Sequence, residues 1–309
     1  MANIPPTITS PPRRYYPSVH AWVIIPLITL TLGTYVLVRF ASQSYAANAL
    51  LRVATMVETI QQRFISNTEQ LLESLAHVPV VGQADSQTCP TVLSDLLKKY
   101  PNYANLGVAN TKGDIVCSAV PLKAPVNIAD RTYFQRAVET KKFAVGDYQV
   151  GRITGKPSIN FAYPTLTAEG NVDTVLYAAL DLQWVSKFAE ESHFPPEVTF
   201  TILDKDGLVL ARYPSPEVWI GKTWKEGALF HQTTGQSQKL THTKGVDGVK
   251  RYYAFVPLPS GNDFDTVTTV GVADQSLFAP ANYILFFSIL FDMVVILAFS
   301  LIWRSANKN

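Results

Sequence analysis

The sequence predicts an α+β protein with a long N-terminal helix, two consecutive units that each contain an antiparallel sheet, and a transmembrane helix on either side. Three observations support this fold class. Two long apolar runs lie near the ends of the chain, a helical stripe without glycine or proline follows the first run, and three strand patterns then recur in the same order.

The composition is that of a folded protein with a raised apolar content. The chain has 309 residues, 47% hydrophobic and 16% charged, and a formal net charge of +2. This length favours about two domains. The hydrophobic fraction excludes intrinsic disorder, and the lack of a basic excess argues against a nucleic-acid partner.

The two apolar runs predict transmembrane helices at residues 21–41 and 279–303, because each run provides the ~20 residues that span a bilayer. A cleaved signal peptide is the competing interpretation of the first run, with Ala47-Asn48-Ala49 as a cleavage-like site. The first run is longer than a signal core, so we expect an uncleaved helix.

Charges near the spans predict their orientation. Arg13 and Arg14 precede the first span, and Arg304 and Lys308 follow the second. Positive residues favour the cytoplasmic side, although Arg39 at the outer end of the first span weakly opposes this. We therefore expect cytoplasmic tails at residues 1–20 and 304–309, with residues 42–278 outside. Such a short final tail cannot hold an output domain, so we expect none on this chain.

The second span contains one acid, Asp292. An acid within a span is costly and is often functional. It could be protonated and hydrogen-bonded across a dimer, or paired with a cationic partner span. Alternatively, it faces Ser288 or Ser300 within the same chain.

Residues 42–79 predict a stalk helix that Pro79 ends. Its apolar residues recur at steps of three and four, the period of a helix: Leu50, Val53, Val57, Ile60, Phe64, Leu71 and Leu75. The stripe could pack on the chain's own sheet or form a parallel homodimer. Both interpretations can hold on different faces.

Three blocks then recur at an offset of about 93 residues, which indicates an internal duplication. The pairs are the hairpins 105–118 and 199–212, the strands 155–164 and 248–257, and the strands 174–181 and 267–274. Each copy predicts a five-stranded antiparallel sheet with a short helix after its second strand. The first unit covers residues 80–194 and the second covers residues 195–278.

Residues 130–181 carry a family resemblance. They contain the pattern Asp-Arg-x-Tyr-Phe and then Val-Gly-Asp-x-x-x-Gly-Arg-x-x-Gly-Lys-Pro. These motifs, the long helix and the flanking spans resemble the double Cache (tandem PAS-like) sensor domains of bacterial membrane receptors. The resemblance implies two PAS-like units, a bacterial inner-membrane location, and a small-molecule ligand in the first unit, the one farther from the membrane. Such domains precede histidine kinase, diguanylate cyclase, phosphodiesterase or chemoreceptor signalling domains.

Candidate ligand-binding residues lie in this region of the first unit. Alternation along a strand places Ser158 with Asn160 on one face, and Tyr177 with Asp181 on one face. The short helix and the following loop add four more: Arg131, Tyr133, Asp147 and Arg152. An arginine can fork onto a carboxylate, and an aspartate can pair with an amine.

Two of these assignments have structural alternatives. Asp130 could cap the start of a helix, and Asp147 could pair with Arg152 across the loop. The match to amino-acid-binding members of the family is partial, because their tryptophan is absent and their earlier tyrosine falls near Val126. An organic acid, an amine or an amino acid therefore remains the expected ligand class.

The two cysteines, Cys89 and Cys117, both fall in the segment expected outside the cell membrane, where disulfides persist. We expect them to form a disulfide, with two reduced thiols as the alternative. No catalytic motif is present and the five histidines lack metal-ligand spacing. We therefore expect neither an enzyme nor a metal or other cofactor.

The sequence thus predicts a membrane-anchored sensor without an output domain of its own. We expect it to form a homodimer and to transmit ligand binding to a separate cytoplasmic signalling partner. The alternative is a truncated sensor histidine kinase, diguanylate cyclase or phosphodiesterase. An extracytoplasmic enzyme or transporter accessory is a weaker hypothesis.

Overall fold

A computed structural model describes residues 19–85, 87–184, 197–224, 239–258 and 266–306. The chain divides into two compact units. The larger one comprises Tyr45–Ser276, and the smaller one comprises Met1–Ser44 with Leu277–Asn309.

Two long helices carry the apolar runs. Helix α1 extends over Val19–Ala76 without interruption, and helix α6 extends over Asp274–Ala306. Each contains a window of 18 residues that is apolar enough to cross a membrane, with mean hydropathies of 2.0 and 2.6. The first predicted span and the stalk are therefore parts of one helix, because neither Gly nor Pro occurs between Ala41 and Val78.

The first sheet has five antiparallel strands, as the duplication predicts. The helices α2 (Pro79–Gly82) and α3 (Cys89–Lys99) precede it. Helix α4 (Thr132–Thr140) lies between its second and third strands. The strands are β1 (Tyr103–Asn110), β2 (Ile115–Ser118), β3 (Ala144–Val150), β4 (Pro157–Leu166) and β5 (Val172–Asp181), in the order β2-β1-β5-β4-β3.

The second sheet repeats this topology. Its strands are β6 (Val198–Asp204), β7 (Val209–Tyr213), β8 (Lys239–Lys244), β9 (Lys250–Leu258) and β10 (Thr266–Ala273), in the order β7-β6-β10-β9-β8. The short helix α5 (Pro216–Trp219) follows β7. The same strand order in both sheets confirms the duplicated architecture.

Helix α1 packs along its C-terminal half against the sheets of the larger unit. Leu50, Ala54, Leu72 and Leu75 belong to a continuous buried core with both sheets. Burying a leucine of this kind contributes about 2 kcal/mol. The hydroxyls of Thr68 and Tyr103 add a buried hydrogen bond of 2.7 Å.

The predicted stripe therefore packs on the chain's own sheets. One member differs, since Ile60 is 41% exposed. The residues that α1 buries most completely are instead Ala54, Thr68 and Leu72. A stripe of large apolar residues leaves out alanine and threonine. Both side chains are small enough to be buried where a helix approaches a sheet closely.

Candidate functional site

A cavity with polar and apolar side chains in its wall lies on the face of the first sheet that is turned away from α1. The sheet supplies Asn105, Asn160 and Tyr177, and the first turn of α4 supplies Arg131 and Tyr133. The cavity volume is about 30 Å³, which accommodates about two water molecules. Strand alternation explains the arrangement, because the neighbouring residues Ile159, Phe161 and Leu176 point into the core beside α1.

Asn105 fixes the cavity wall through hydrogen bonds in several directions. Its Nδ2 donates to Ser118 Oγ at 3.0 Å and to Tyr177 Oη at 3.1 Å. Its Oδ1 accepts from the backbone N–H of Val120 at 3.1 Å. All of these groups are at least partly buried, and the Asn105 amide satisfies part of their hydrogen-bonding capacity. Ser118 Oγ also donates to the backbone carbonyl of Val120 at 2.7 Å.

Two buried tyrosines define the apolar side of the cavity. Tyr133 and Tyr177 are 2% and 3% exposed, and their ring centroids lie 6.3 Å apart. Burial raises the pKa of Tyr133 and, more strongly, the pKa of Tyr177. Both phenols therefore stay neutral at physiological pH and keep a proton to donate.

Arg131 is the unpaired cation of the cavity. It is the N-cap residue of α4, with an extended backbone, and its side chain is half-buried. Within the described ranges, no carboxylate forms an ion pair with it. Its guanidinium is therefore available to an anionic ligand.

The loop between β3 and β4 closes one side of the cavity and is held by Arg152. Both of its terminal nitrogens donate to the carboxylate of Asp130, each at 2.7 Å. The hydrogen bonds from Arg152 keep the pKa of Asp130 below its usual value. Two sequence-based alternatives are thereby corrected: Asp130 does not cap α4, and Arg152 does not pair with Asp147.

Three other predicted site residues lie outside the cavity lining. Asp147 pairs with Arg136, whose Nη2 lies 3.2 Å from its carboxylate. Asp181 pairs with Lys156 at 2.7 Å. The hydroxyl of Ser158 is buried and donates to Asn160 Oδ1 at 3.1 Å, so it orients a cavity residue.

Several residues that line the cavity are not predicted as site residues from the sequence: Asn105, Gln149, Thr154 and Val126. Asn105 could have been found, because it is a polar residue on an otherwise apolar strand, as Asn160 is. Val126 lies where the family's earlier tyrosine was expected, and it makes this wall of the cavity apolar. The lining contains two arginines and no acid.

The predicted disulfide between Cys89 and Cys117 is present, with a Cα–Cα distance of 6.2 Å. It joins the start of α3 to β2, the edge strand of the first sheet. Both cysteines are buried, at 0% and 2% exposure.

The acid in the second apolar helix has a partner within the chain. Thr31 Oγ1 donates to Asp292 Oδ2 at 2.6 Å, which links α1 to α6 inside the smaller unit. The structure thus gives Asp292 an intrachain partner, but this partner is Thr31 and not Ser288 or Ser300.

Comparisons with known proteins agree with the fold. The sequence profile of the Cache domain matches residues 39–281. Sporulation kinase D of Bacillus subtilis (strain 168) is 26% identical over 191 residues, which are 61% of this chain but only 37% of the length of that relative.

Solved structures show the same fold. The ligand-binding domain of the Pseudomonas fluorescens chemoreceptor CtaA, in complex with L-isoleucine, matches with a TM-score of 0.58 at 18% identity and covers 78% of this chain and 98% of its own. The extracellular domain of a histidine kinase matches with a TM-score of 0.54 at 19% identity and covers 78% of this chain and 94% of its own.

Proposed function

Because the chain belongs to the family of Cache domains, the sensor domains of chemoreceptors and histidine kinases, we propose that its first unit senses a small organic carboxylate. The observation that carries this proposal is Arg131, a half-buried guanidinium without an ion-pair partner among the described residues. It lies beside two neutral tyrosines and the amide of Asn160, which can donate hydrogen bonds. A carboxylate matches the planar fork of an arginine.

The charges around the cavity favour an acid over an amine. Asp147 and Asp181, the acids that could bind an ammonium group, each pair with a cation and lie outside the lining. An amino acid would require Asp181 to leave Lys156. The chemoreceptor CtaA binds L-isoleucine, so amino acids remain the second candidate class, and the test must separate the two.

The size of the cavity supports a change of conformation on binding. A space of about 30 Å³ is far below the roughly 300 Å³ of a typical ligand pocket. A ligand must therefore displace part of the wall. The β3–β4 loop is the candidate segment, because the ion pair of its Arg152 with Asp130 is exposed to solvent. Binding that favours the opened loop shifts the population of states, which is the physical requirement for a signal.

We further propose that α1 and α6 anchor the chain in a bacterial inner membrane, with both termini cytoplasmic and residues 42–278 outside. Large apolar side chains on these helices support this, since Trp22 is 74% exposed and Ile302 is 69% exposed. The signal would pass through α6 to a cytoplasmic signalling domain, on a longer protein or a separate partner. A homodimer along α1 is part of the proposal, and light scattering in detergent would measure it.

Calorimetric titration of the full-length protein in detergent tests the ligand class with three matched pairs: acetate and glycine, propionate and alanine, succinate and aspartate. We expect at least one acid without the amine to bind. Arg131→Ala should weaken the binding of this acid at least tenfold, or about 1.4 kcal/mol, because the carboxylate loses its two hydrogen bonds from the guanidinium.

The matched control is Arg63→Ala, which removes an exposed arginine of α1 and should leave binding unchanged. Two results would contradict the proposal. Binding of the amino acids but not of their amine-free counterparts would assign the ligand to the second class. Equal affinity of the wild type and of Arg131→Ala for the acid would show that the ligand does not bind at Arg131.

A further inference from the structure

Two buried arginines lie on the second sheet, on the face opposite α1. Arg212 is on β7 and Arg251 is on β9, and their side chains are 3% and 9% exposed. They share one carboxylate, that of Asp247 in the β8–β9 turn. Arg212 Nη2 donates to it at 3.1 Å and Arg251 Nη1 donates at 2.6 Å.

The remaining donors of this cluster are only partly used. Arg212 Nη1 donates to Thr201 Oγ1 at 2.9 Å. In the part of the chain that the structure describes, the Nε atoms of Arg212 and Arg251 are buried without a hydrogen-bond partner, and so is the hydroxyl of Thr199. Buried donors without partners are rare and need an explanation.

Strand register places these donors on neighbouring rows of one sheet face. Thr201 pairs in register with Arg212. Thr199 follows two residues earlier on β6 and pairs with Gly271 of β10, which pairs in turn with Tyr253 of β9. Since residues two apart on a strand face the same side, Thr199 belongs to the row between the two arginines.

The charges of the cluster do not balance. Burial opposes the charge of Asp247, but the hydrogen bond from Arg251 and the charges of both arginines outweigh it, so the pKa of Asp247 lies below its usual value. Asp247 is therefore already ionised at neutral pH. Two cations and one anion leave one net positive charge, and Trp219, whose ring centroid lies 5.1 Å from the Arg212 guanidinium, offsets it only in part.

We propose that the second unit binds a small monovalent carboxylate between Arg212 and Arg251. One such anion neutralises the cluster and supplies acceptors for the Nε donors and for the Thr199 hydroxyl. Asp247 is 26% exposed, so the cluster reaches solvent beside its turn. This site is separate from the cavity of the first unit, and its existence does not depend on the function proposed there.

The test uses full-length protein in detergent that carries Arg131→Ala, so that the first cavity is disabled. Acetate is titrated at constant ionic strength in a buffer without other carboxylates, sulfate or phosphate. We expect saturable heat and a midpoint of thermal unfolding that rises with acetate concentration, because a ligand of the folded state stabilises it.

Conservative variants then locate the site. Arg251→Lys keeps the charge but cannot form bidentate hydrogen bonds with a carboxylate. It should therefore weaken acetate binding at least tenfold. Thr199→Val removes one donor at constant shape and should weaken binding several-fold without loss of folding. Lys250→Gln, an exposed neighbour on β9, is the control and should bind acetate as the parent protein does.

Three results would overturn the proposal. One is the absence of a saturable acetate effect in the Arg131→Ala background. A second is an acetate affinity that neither Arg251→Lys nor Thr199→Val changes. The third is an unfolding midpoint that acetate raises equally in the parent protein and in Arg251→Gln, because the stabilisation then does not come from this cluster.

Discussion

Asn105 shows how one polar side chain on an apolar strand organises the wall of a cavity. Its amide bridges β1 to Ser118 on β2 and to Tyr177 on β5. The same amide accepts the backbone N–H of Val120. The position of the Tyr177 phenol, which forms part of the cavity wall, therefore depends on Asn105.

Replacement of Asn105 by alanine should lower the free energy of unfolding by about 1–3 kcal/mol, because buried donors and acceptors lose their partner. Thermal or urea unfolding of the full-length protein measures the change. Asn67→Ala, at an exposed position on α1, is the control and should stay within about 0.5 kcal/mol. An equal effect of the two substitutions would show that the hydrogen bonds of the Asn105 amide do not contribute to the free energy of unfolding.

The residue scale is also where sequence reasoning reaches its limit. Alternation within β4 groups Ser158 with Asn160, and alternation within β5 groups Tyr177 with Asp181. The register between the two strands, which the sequence does not give, puts both groups on one face. The ion pairs could not be predicted, because they depend on how the β3–β4 loop folds back. Asp130 lies 22 residues before its partner Arg152, and no local pattern distinguishes that pairing from the nearer one with Asp147.

At the scale of elements, the sequence predicts most of the fold. The hairpins form because Lys-Gly-Asp and Lys-Asp-Gly turns join strands with apolar alternation, and the duplication doubles this evidence. The continuity of α1 was harder to foresee, since the polar stretch after Phe40 suggests a boundary. A helix has no physical reason to end there, because a polar residue interrupts an apolar stripe without breaking the backbone hydrogen bonds.

The disulfide is the element-scale feature with the largest expected effect on stability. It closes a loop with a sequence separation of 28, for which the chain-entropy relation gives about 3–4 kcal/mol. The double variant Cys89→Ala/Cys117→Ala should lose this amount in urea unfolding of the full-length protein. Reductant should destabilise the wild type equally and leave the double variant unchanged. A wild type that is insensitive to reductant would contradict the expected role of the bond.

On the scale of the whole molecule, the apolar unit and the sensory unit are distinct in composition. The smaller unit exposes large apolar side chains along both helices and contains the Thr31–Asp292 hydrogen bond. A polar pair of this kind is favoured where water is absent. The larger unit contains the disulfide and both polar clusters, which suits an aqueous and oxidising compartment. The transmembrane arrangement that we propose accounts for these contrasts.

That arrangement predicts which positions a membrane-impermeant maleimide reaches in intact cells. Lys98→Cys, at a side chain that is 74% exposed in the larger unit, should be labelled without permeabilisation, because the proposed arrangement puts residues 42–278 outside. Ser305→Cys, beside Arg304, should be labelled only after permeabilisation, since positive residues keep that end in the cytoplasm. The wild type should stay unlabelled in both conditions, because its two cysteines are joined in a disulfide. Labelling of Ser305→Cys in intact cells would show that the C-terminus lies outside and contradict the proposed orientation. Labelling of the wild type would show that the disulfide does not form in cells.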